Sequence, residues 1–157
     1  MRAFGNYGSR VKYMHEYKGV NSRMDTLHAA LLDVKLKSLD KWLADRERIA
    51  QRYLNGIKNL AVTLPQVNPD GTHVWHIFAL LVEERERFLK HMDENGVAHQ
   101  CHYPVAMHLH EAYRDLGYEE GAFPVAERNA AQEVSLPIYY GMTDEQVDYV
   151  IDVINRF

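Results

Sequence analysis

From Met24 to Tyr53, apolar residues at 27, 30, 31, 34, 39, 43 and 53 recur mostly at spacings of three and four, with lysines and acids between them. That is the period of an amphipathic helix. The spacing predicts a single helix over 24–56, about eight turns long, with Ser22 as N-cap, Asp25 three positions on in a Ser-x-x-Asp arrangement, and Gly56 as its stop. Beyond it the pattern shortens. Ala61–Leu64 reads as a short strand, Asn68-Pro-Asp-Gly71 as a turn, and the apolar run His73–Val82 as a buried strand. Glu84–Asn95 returns to helical spacing, and Val97–Tyr103 is an extended run broken by Pro104. A short helical stretch around 109–116, a helix over 124–133 and a strand over Ser135–Tyr139 follow. Thr143-Asp-Glu-Gln146 is a capping box in front of Val147, Val150, Ile151 and Ile154, so an amphipathic helix ends the pattern. Residues 1–23 have no apolar period, and the glycines and polar residues punctuating them predict a loop. These elements imply an α+β fold in two layers, a small sheet covered on one face by helices, with the long first helix as its spine.

Composition narrows this picture. The chain has 157 residues, 46% hydrophobic and 25% charged, enough for one core with an N-terminal extension. Eighteen basic against twenty-two acidic side chains give a net charge of -4, and like charges do not run together, which argues against a nucleic-acid partner. A lone cysteine, Cys101, fits a reducing, cytoplasmic setting. The start of the chain lacks an apolar signal region, and no window approaches a membrane span.

Several side chains could carry chemistry. Asn21, beside a predicted helix start, can donate an amide hydrogen bond to an anion that the helix dipole also favours, or it can simply turn the backbone. Arg23 suits a phosphate or a carboxylate, and equally a surface pairing with Asp25. His102 and Tyr103 end an extended run before Pro104, where side chains project into clefts, although a histidine there often serves structure alone. Tyr7, Tyr13 and Tyr17 form an aromatic cluster suited to an interface. Trp75 and His76, in the most apolar run, are expected in the core. His99, Cys101, His102, His108 and His110 crowd together, but they alternate across a strand and straddle a proline, so the spacing gives no metal site.

Five short motifs occur in order: Asn6-Tyr7-Gly8; Gly19-Val20-Asn21-Ser22-Arg23-Met24; Trp75-His76; His102-Tyr103-Pro104; and Ser135-Leu136-Pro137. In that order and spacing the chain resembles the C-terminal portion of the DegT/DnrJ/EryC1/StrS family of sugar-nucleotide aminotransferases. The resemblance implies the small domain of a fold-type I enzyme that uses pyridoxal 5'-phosphate, works as a homodimer, and passes an amino group from glutamate to a nucleotide-linked keto sugar. It implies that residues 1–23 are a cofactor and interface loop, 24–56 a connecting helix and 57–157 the small α+β domain. It also implies that Asn21 reaches the cofactor phosphate of the partner subunit, and that His102, Tyr103 and Arg23 lie near the substrate. The family's Schiff-base lysine falls before Met1 on this pattern, so Lys12, Lys18 and Lys35 are not expected to take that role, and the chain alone is expected to be inactive. Relatives with histidine in place of that lysine act as dehydratases.

Two departures leave substrate preference open: Tyr7 replaces the usual histidine of Asn-His-Gly, and Tyr140 stands where proline often follows Ser-Leu-Pro. The combination looks closest to members that aminate 3-keto-6-deoxyhexoses carried on thymidine diphosphate. The competing expectation is a non-enzymatic α+β module whose tyrosine-rich start and long helix make a dimer surface.

Overall fold

The computed structural model describes all 157 residues. They divide into two compact units, Met1–Asp40 and Lys41–Phe157.

The first unit opens on a hairpin that the absence of an apolar period concealed. Strand β1 (Ser9–Val11) pairs antiparallel with β2 (Met14–His15), matching Ser9 with His15 and Val11 with Met14. Tyr13, in the turn between them, has φ 69°. A second contact closes the loop: Tyr7 N–H donates to Val20 O (3.0 Å), Ser22 N–H to Gly5 O (2.8 Å) and Val20 N–H to Phe4 O (2.9 Å), which sets Asn6 opposite Asn21. Helix α1 (Thr26–Leu36) follows.

Two expectations are corrected here. The N-cap is Asp25, whose carboxylate accepts from His28 N–H at 2.8 Å, three positions on as capping requires, so Ser22 lies outside the helix. The single helix over 24–56 is in fact α1 and a second helix, α2 (Leu39–Gly56), separated at Lys37 and Ser38. There Ser38 N–H turns to Lys35 O at 3.0 Å, a tightened last turn that ends α1 without glycine or proline. The division between the units, at 40/41, therefore falls within the expected connecting helix.

In the second unit, β3 (Val62–Thr63), β4 (Phe78–Val82) and β5 (Glu133–Leu136) form an antiparallel sheet in that order. Val62 pairs with Val82, Phe78 with Leu136, Ala79 with Ser135 and Leu81 with Glu133. Because successive strand residues point to opposite faces, Phe78, Leu80, Val82, Val134 and Leu136 share one side. They pack with Ile49 and Tyr53 of α2, Phe88 and Met92 of α3 (Arg85–Glu94), and Val147, Val150 and Ile154 of α5 (Asp144–Asn155). The capping box at Thr143 and Gln146 is formed as the sequence pattern predicts. Tyr53 is fully buried, and its hydroxyl donates to Pro137 O at 2.8 Å; burial pushes its phenol well above the usual range. Arg48 bonds Asp45 (2.8 Å), Asp144 and the Met142 carbonyl (2.7 Å), and Arg52 bonds Asp148 at 2.5 Å, fixing α2 to the start of α5. The expected α+β class, a small antiparallel sheet with helices, is the architecture found.

The expected strand over His73–Val82 begins only at Phe78. Upstream, the carbonyls of Trp75 and His76 accept from Arg46 Nη1 at 2.8 and 3.0 Å rather than from a neighbouring strand, and Trp75 takes φ 48°. Trp75 is nevertheless core, stacked on Phe78 at 5.4 Å and donating from Nε1 to Glu47 at 2.6 Å. His76, expected beside it, is exposed. The extended run Val97–Tyr103 makes only one bridge, Gln100 to Ser135, and the helical stretch expected around 109–116 is two short 3-10 turns, Met107–Leu109 and Glu111–Leu116. Helix α4 (Pro124–Gln132) starts as expected on a proline. No helix is long and apolar enough to cross a membrane.

Candidate functional site

The sequence candidates fall into two groups, one in each unit. In the first unit, Asn21, Ser22, Arg23, Met24 and Asp25 line an open concavity ahead of α1. The loop approaches itself closely enough to require glycine. A Cβ on Gly19 would stand 2.1 Å from Gly8 N and 2.5 Å from Phe4 O, and one on Gly5 would stand 2.5 Å from Ser22 O. This packing holds the Asn21 backbone while its side chain stays exposed and bonds nothing else in the chain. The Arg23 guanidinium also has no carboxylate partner, and it lines a second concavity with Arg2, Arg10, Asn6 and Ser9. Arg10 leans toward Glu16 at 3.4 Å.

These donors suit a phosphate: two unpaired, planar N–H groups beside a helix start, with further arginines close by. The helix end itself contributes less than the sequence suggests. Asp25 already occupies the His28 amide and pairs with the His28 ring at 2.6 Å, and the amide bond chiefly holds the Asp25 carboxyl below its ordinary range. Any anion held here relies mainly on the Asn21 and Arg23 side chains. Tyr7, Tyr13 and Tyr17 are all exposed in this unit.

The second unit carries a cavity of about 620 Å³ on the sheet face opposite the core. Ala79, Leu81 and Glu133 form its floor, Ala126, Asn129 and Ala130 of α4 one wall, and His102, Tyr103, Val105 and Met107 the rim. It is an apolar recess with a few polar groups, the form that small-molecule sites take. The structure brings His102 and Tyr103 together here, their rings edge to face with centroids 5.6 Å apart; the peptide bond joining them is cis. Tyr103 is 70% exposed.

His102 is held from β5. Gln100 exchanges backbone bonds with Ser135 (Ser135 N–H to Gln100 O, 2.8 Å). Two residues on, His102 N–H donates to Glu133 Oε2 at 2.5 Å while its Nδ1 lies 2.8 Å from Ser135 Oγ. The Ser135 hydroxyl in turn donates to Glu133 Oε1. The sequence pattern does not single out Glu133, which closes the helix expected over 124–133, and it gives Ser135 only as the start of a strand and part of a motif. The available signal was the Glu-x-Ser spacing, which on a strand puts both side chains on one face.

The remaining histidines go elsewhere. His99 bonds Asp93 at 3.0 Å, and His108 bonds Glu127 at 2.9 Å; no three metal-ligating side chains converge. Glu127 also accepts the amides of Gly121 (2.8 Å) and Phe123 (3.0 Å). Those amides, Phe123 first, then His108, hold its carboxyl below the ordinary 4.5. A depressed carboxyl stabilises the fold above its unfolded value, and that contribution is lost as pH falls through the lower folded value. Protection of the Gly121 and Phe123 amides, taken as their exchange relative to the intrinsic rate at each pH, is therefore expected to hold above pH 4.5 and to fall below it, whereas Glu127→Gln removes this pH dependence.

Comparison with known proteins gives the family. The model of the DegT/DnrJ/EryC1/StrS aminotransferase family matches residues 1–155. The chain is 44% identical over 152 residues to the erythromycin biosynthesis sensory transduction protein EryC1 of Saccharopolyspora erythraea, covering 96% of this chain and 42% of that protein. It is 42% identical over 152 residues to the dTDP-3-amino-3,6-dideoxy-alpha-D-galactopyranose transaminase of Aneurinibacillus thermoaerophilus, covering 97% and 41%. The crystal structure of S. venezuelae DesV in complex with a ketimine intermediate superimposes with a TM-score of 0.93 at 42% identity, over 99% of this chain and 42% of that one. The chain thus spans about two-fifths of the length of these relatives. With the ordered motifs, the α+β unit and a match over nearly every residue, this chain belongs to the DegT/DnrJ/EryC1/StrS aminotransferase family.

Proposed function

We propose that this chain supplies part of the cofactor site and part of the sugar site of an enzyme that moves an amino group from glutamate to a nucleotide-linked keto sugar through pyridoxal 5'-phosphate. The observation that carries the reading is the family match over residues 1–155, supported by a relative named as a dTDP-amino-sugar transaminase. The 42% identity to that relative supports a thymidine diphosphate-linked 3-keto-6-deoxyhexose as substrate.

Each residue has a distinct part in this scheme. Asn21 donates its amide to the cofactor phosphate, and Arg23 adds a bidentate contact to phosphate or to a carboxylate of the amino donor. His102 and Tyr103 orient the sugar, with the apolar floor of the cavity excluding water around it. The cofactor, when bound, carries the amino group between substrates and withdraws electrons from the reacting carbon. None of the chain's own lysines is assigned the Schiff-base role. That lysine is proposed to come from a part of the enzyme outside these residues, so the chain alone does not turn over substrate.

A homodimer in the cytoplasm is part of the same proposal. Every residue of α1 is exposed, among them Leu27, Leu31, Leu32, Val34 and Leu36, and an apolar helix with no covered side calls for a further polypeptide surface. This exposure also favours the second reading, a non-catalytic dimerisation module, to which the sensory name of the EryC1 relative adds weight.

One experiment separates the readings. The complete enzyme carrying this chain, supplied with pyridoxal 5'-phosphate, ¹⁵N-glutamate and the thymidine diphosphate keto sugar, is expected to place ¹⁵N on the sugar carbon that held the ketone. Loss of a sugar hydroxyl without nitrogen transfer would assign a dehydratase instead, and failure to take up the cofactor would favour the module.

A further inference from the structure

We propose that Glu133 and Ser135 act as a two-residue relay that fixes His102 as its Nδ1–H tautomer, so that Nε2 faces the cavity as a hydrogen-bond acceptor for a sugar hydroxyl. The inference rests on His102 facing substrate, as proposed above, and extends it to the chemistry that His102 can recognise. Ser135 Oγ lies between two partners, Glu133 Oε1 and His102 Nδ1 at 2.8 Å. A hydroxyl has one proton to give, whereas a carboxylate has none and can only accept. Were Ser135 to donate to the imidazole, its oxygen lone pairs would face a carboxylate oxygen across a contact shorter than van der Waals separation. The proton therefore goes to Glu133, and Ser135 Oγ accepts from Nδ1–H.

The relay is buried and anchored at both ends. Glu133 is 6% exposed and Ser135 is 5% exposed, and Glu133 spends its second oxygen on the His102 amide at 2.5 Å. The two side chains stand on the same face of β5 because they are two positions apart, and Val134 between them enters the core. The carboxylate thus fixes where the His102 backbone sits and, through the serine, which ring nitrogen bears the proton. The other nitrogen, Nε2, has no partner within the chain, and the ring lines the cavity.

An imidazole held this way selects its ligand. Nε2 with a lone pair accepts from an O–H and has nothing to offer a carbonyl oxygen, so the site favours a hexose bearing a hydroxyl at the position facing His102 over one deoxygenated there. Glu133 and Ser135 are positioning residues in this scheme and act only through the ring.

Long-range ¹H–¹⁵N correlation spectra of the histidine rings read the proposal directly, with protein labelled in histidine, free of cofactor and substrate, at a pH where the imidazole is neutral. The wild-type His102 is expected to show a protonated-type Nδ1 and an unprotonated-type Nε2, with the Nδ1–H form favoured by roughly two- to tenfold, the ratio that one ordinary hydrogen bond sustains. Ser135→Ala is expected to reverse the two shifts to the Nε2–H form, and Ser135→Thr, which keeps the hydroxyl, to retain the wild-type pattern. A wild-type spectrum with Nε2 protonated, or a Ser135→Ala spectrum that does not change, overturns the relay. Because the wild-type spectrum decides by itself, a misfolded variant does not protect the proposal. Because no substrate is present, failure of the relay is distinguishable from failure of the aminotransferase reading.

Discussion

Replacing Gly8 by alanine is expected to dismantle the loop that presents Asn21. Gly8 adopts φ +75°, and an added Cβ would sit 1.8 Å from the Tyr17 carbonyl oxygen. Two costs combine. A non-glycine residue in the left-handed region costs roughly 1–2 kcal/mol, and overpacking against backbone, which has no rotamer to escape into, costs about 1–3 kcal/mol more. Gly8 O also accepts the amides of Glu16 and Tyr17, at 2.9 and 3.3 Å, so any shift that relieves the clash loosens the β1–β2 hairpin as well. The next contact to feel it is the Gly8–Gly19 approach, and with it the bonds from Tyr7 to Val20 and from Ser22 to Gly5 that flank Asn21. Amide exchange at Tyr7, Val20 and Ser22 is expected to rise by two or more orders of magnitude, as a loss of about 3 kcal/mol implies, while the buried amides of β4 and β5 keep their protection. Unchanged exchange at those three amides would show that the loop does not depend on this glycine.

The elements legible in the sequence are those whose pattern is local. The Thr143–Gln146 capping box, the proline start of α4 and the apolar face of α5 each needed only a few neighbouring residues, and each formed where the pattern put it. The pattern failed where distant groups decide. Arg46, on α2, captures the carbonyls of Trp75 and His76 and so shortens β4, a choice no window around residue 75 could reveal. The break at Lys37 and Ser38 was invisible for the opposite reason: apolar residues on both sides keep the same period, and no glycine or proline marks the join. The site was half legible. Motif order pointed to Asn21, Arg23, His102 and Tyr103, and the structure gathers the last two around one cavity. Glu133 was hidden because a carboxylate ending a helical pattern reads as solvent-exposed, whereas here it is buried by two hydrogen bonds to His102 and Ser135.

Asn21→Ala, in the complete enzyme, is expected to weaken pyridoxal 5'-phosphate binding by roughly 10–100-fold, because a hydrogen bond to a charged group is worth about 1.5–3 kcal/mol. The loop should survive the substitution: Asn21 is held through its backbone neighbours, and its side chain bonds nothing else within the chain. The effect should therefore be confined to the cofactor. Affinity for the nucleotide sugar, the proposed task of His102 and Tyr103, should respond instead to His102→Ala, with cofactor affinity unchanged in that variant. If these residues complete a cofactor site and a sugar site of an aminotransferase, a spectrophotometric titration of the complete enzyme with pyridoxal 5'-phosphate separates the wild type from Asn21→Ala. The wild type is expected to develop a cofactor absorbance band that shifts when glutamate is added, and the variant to develop the same band only at roughly 10-fold or more higher cofactor concentration; identical titrations of the two proteins, or no band in the wild type, would show that these residues do not form that cofactor site.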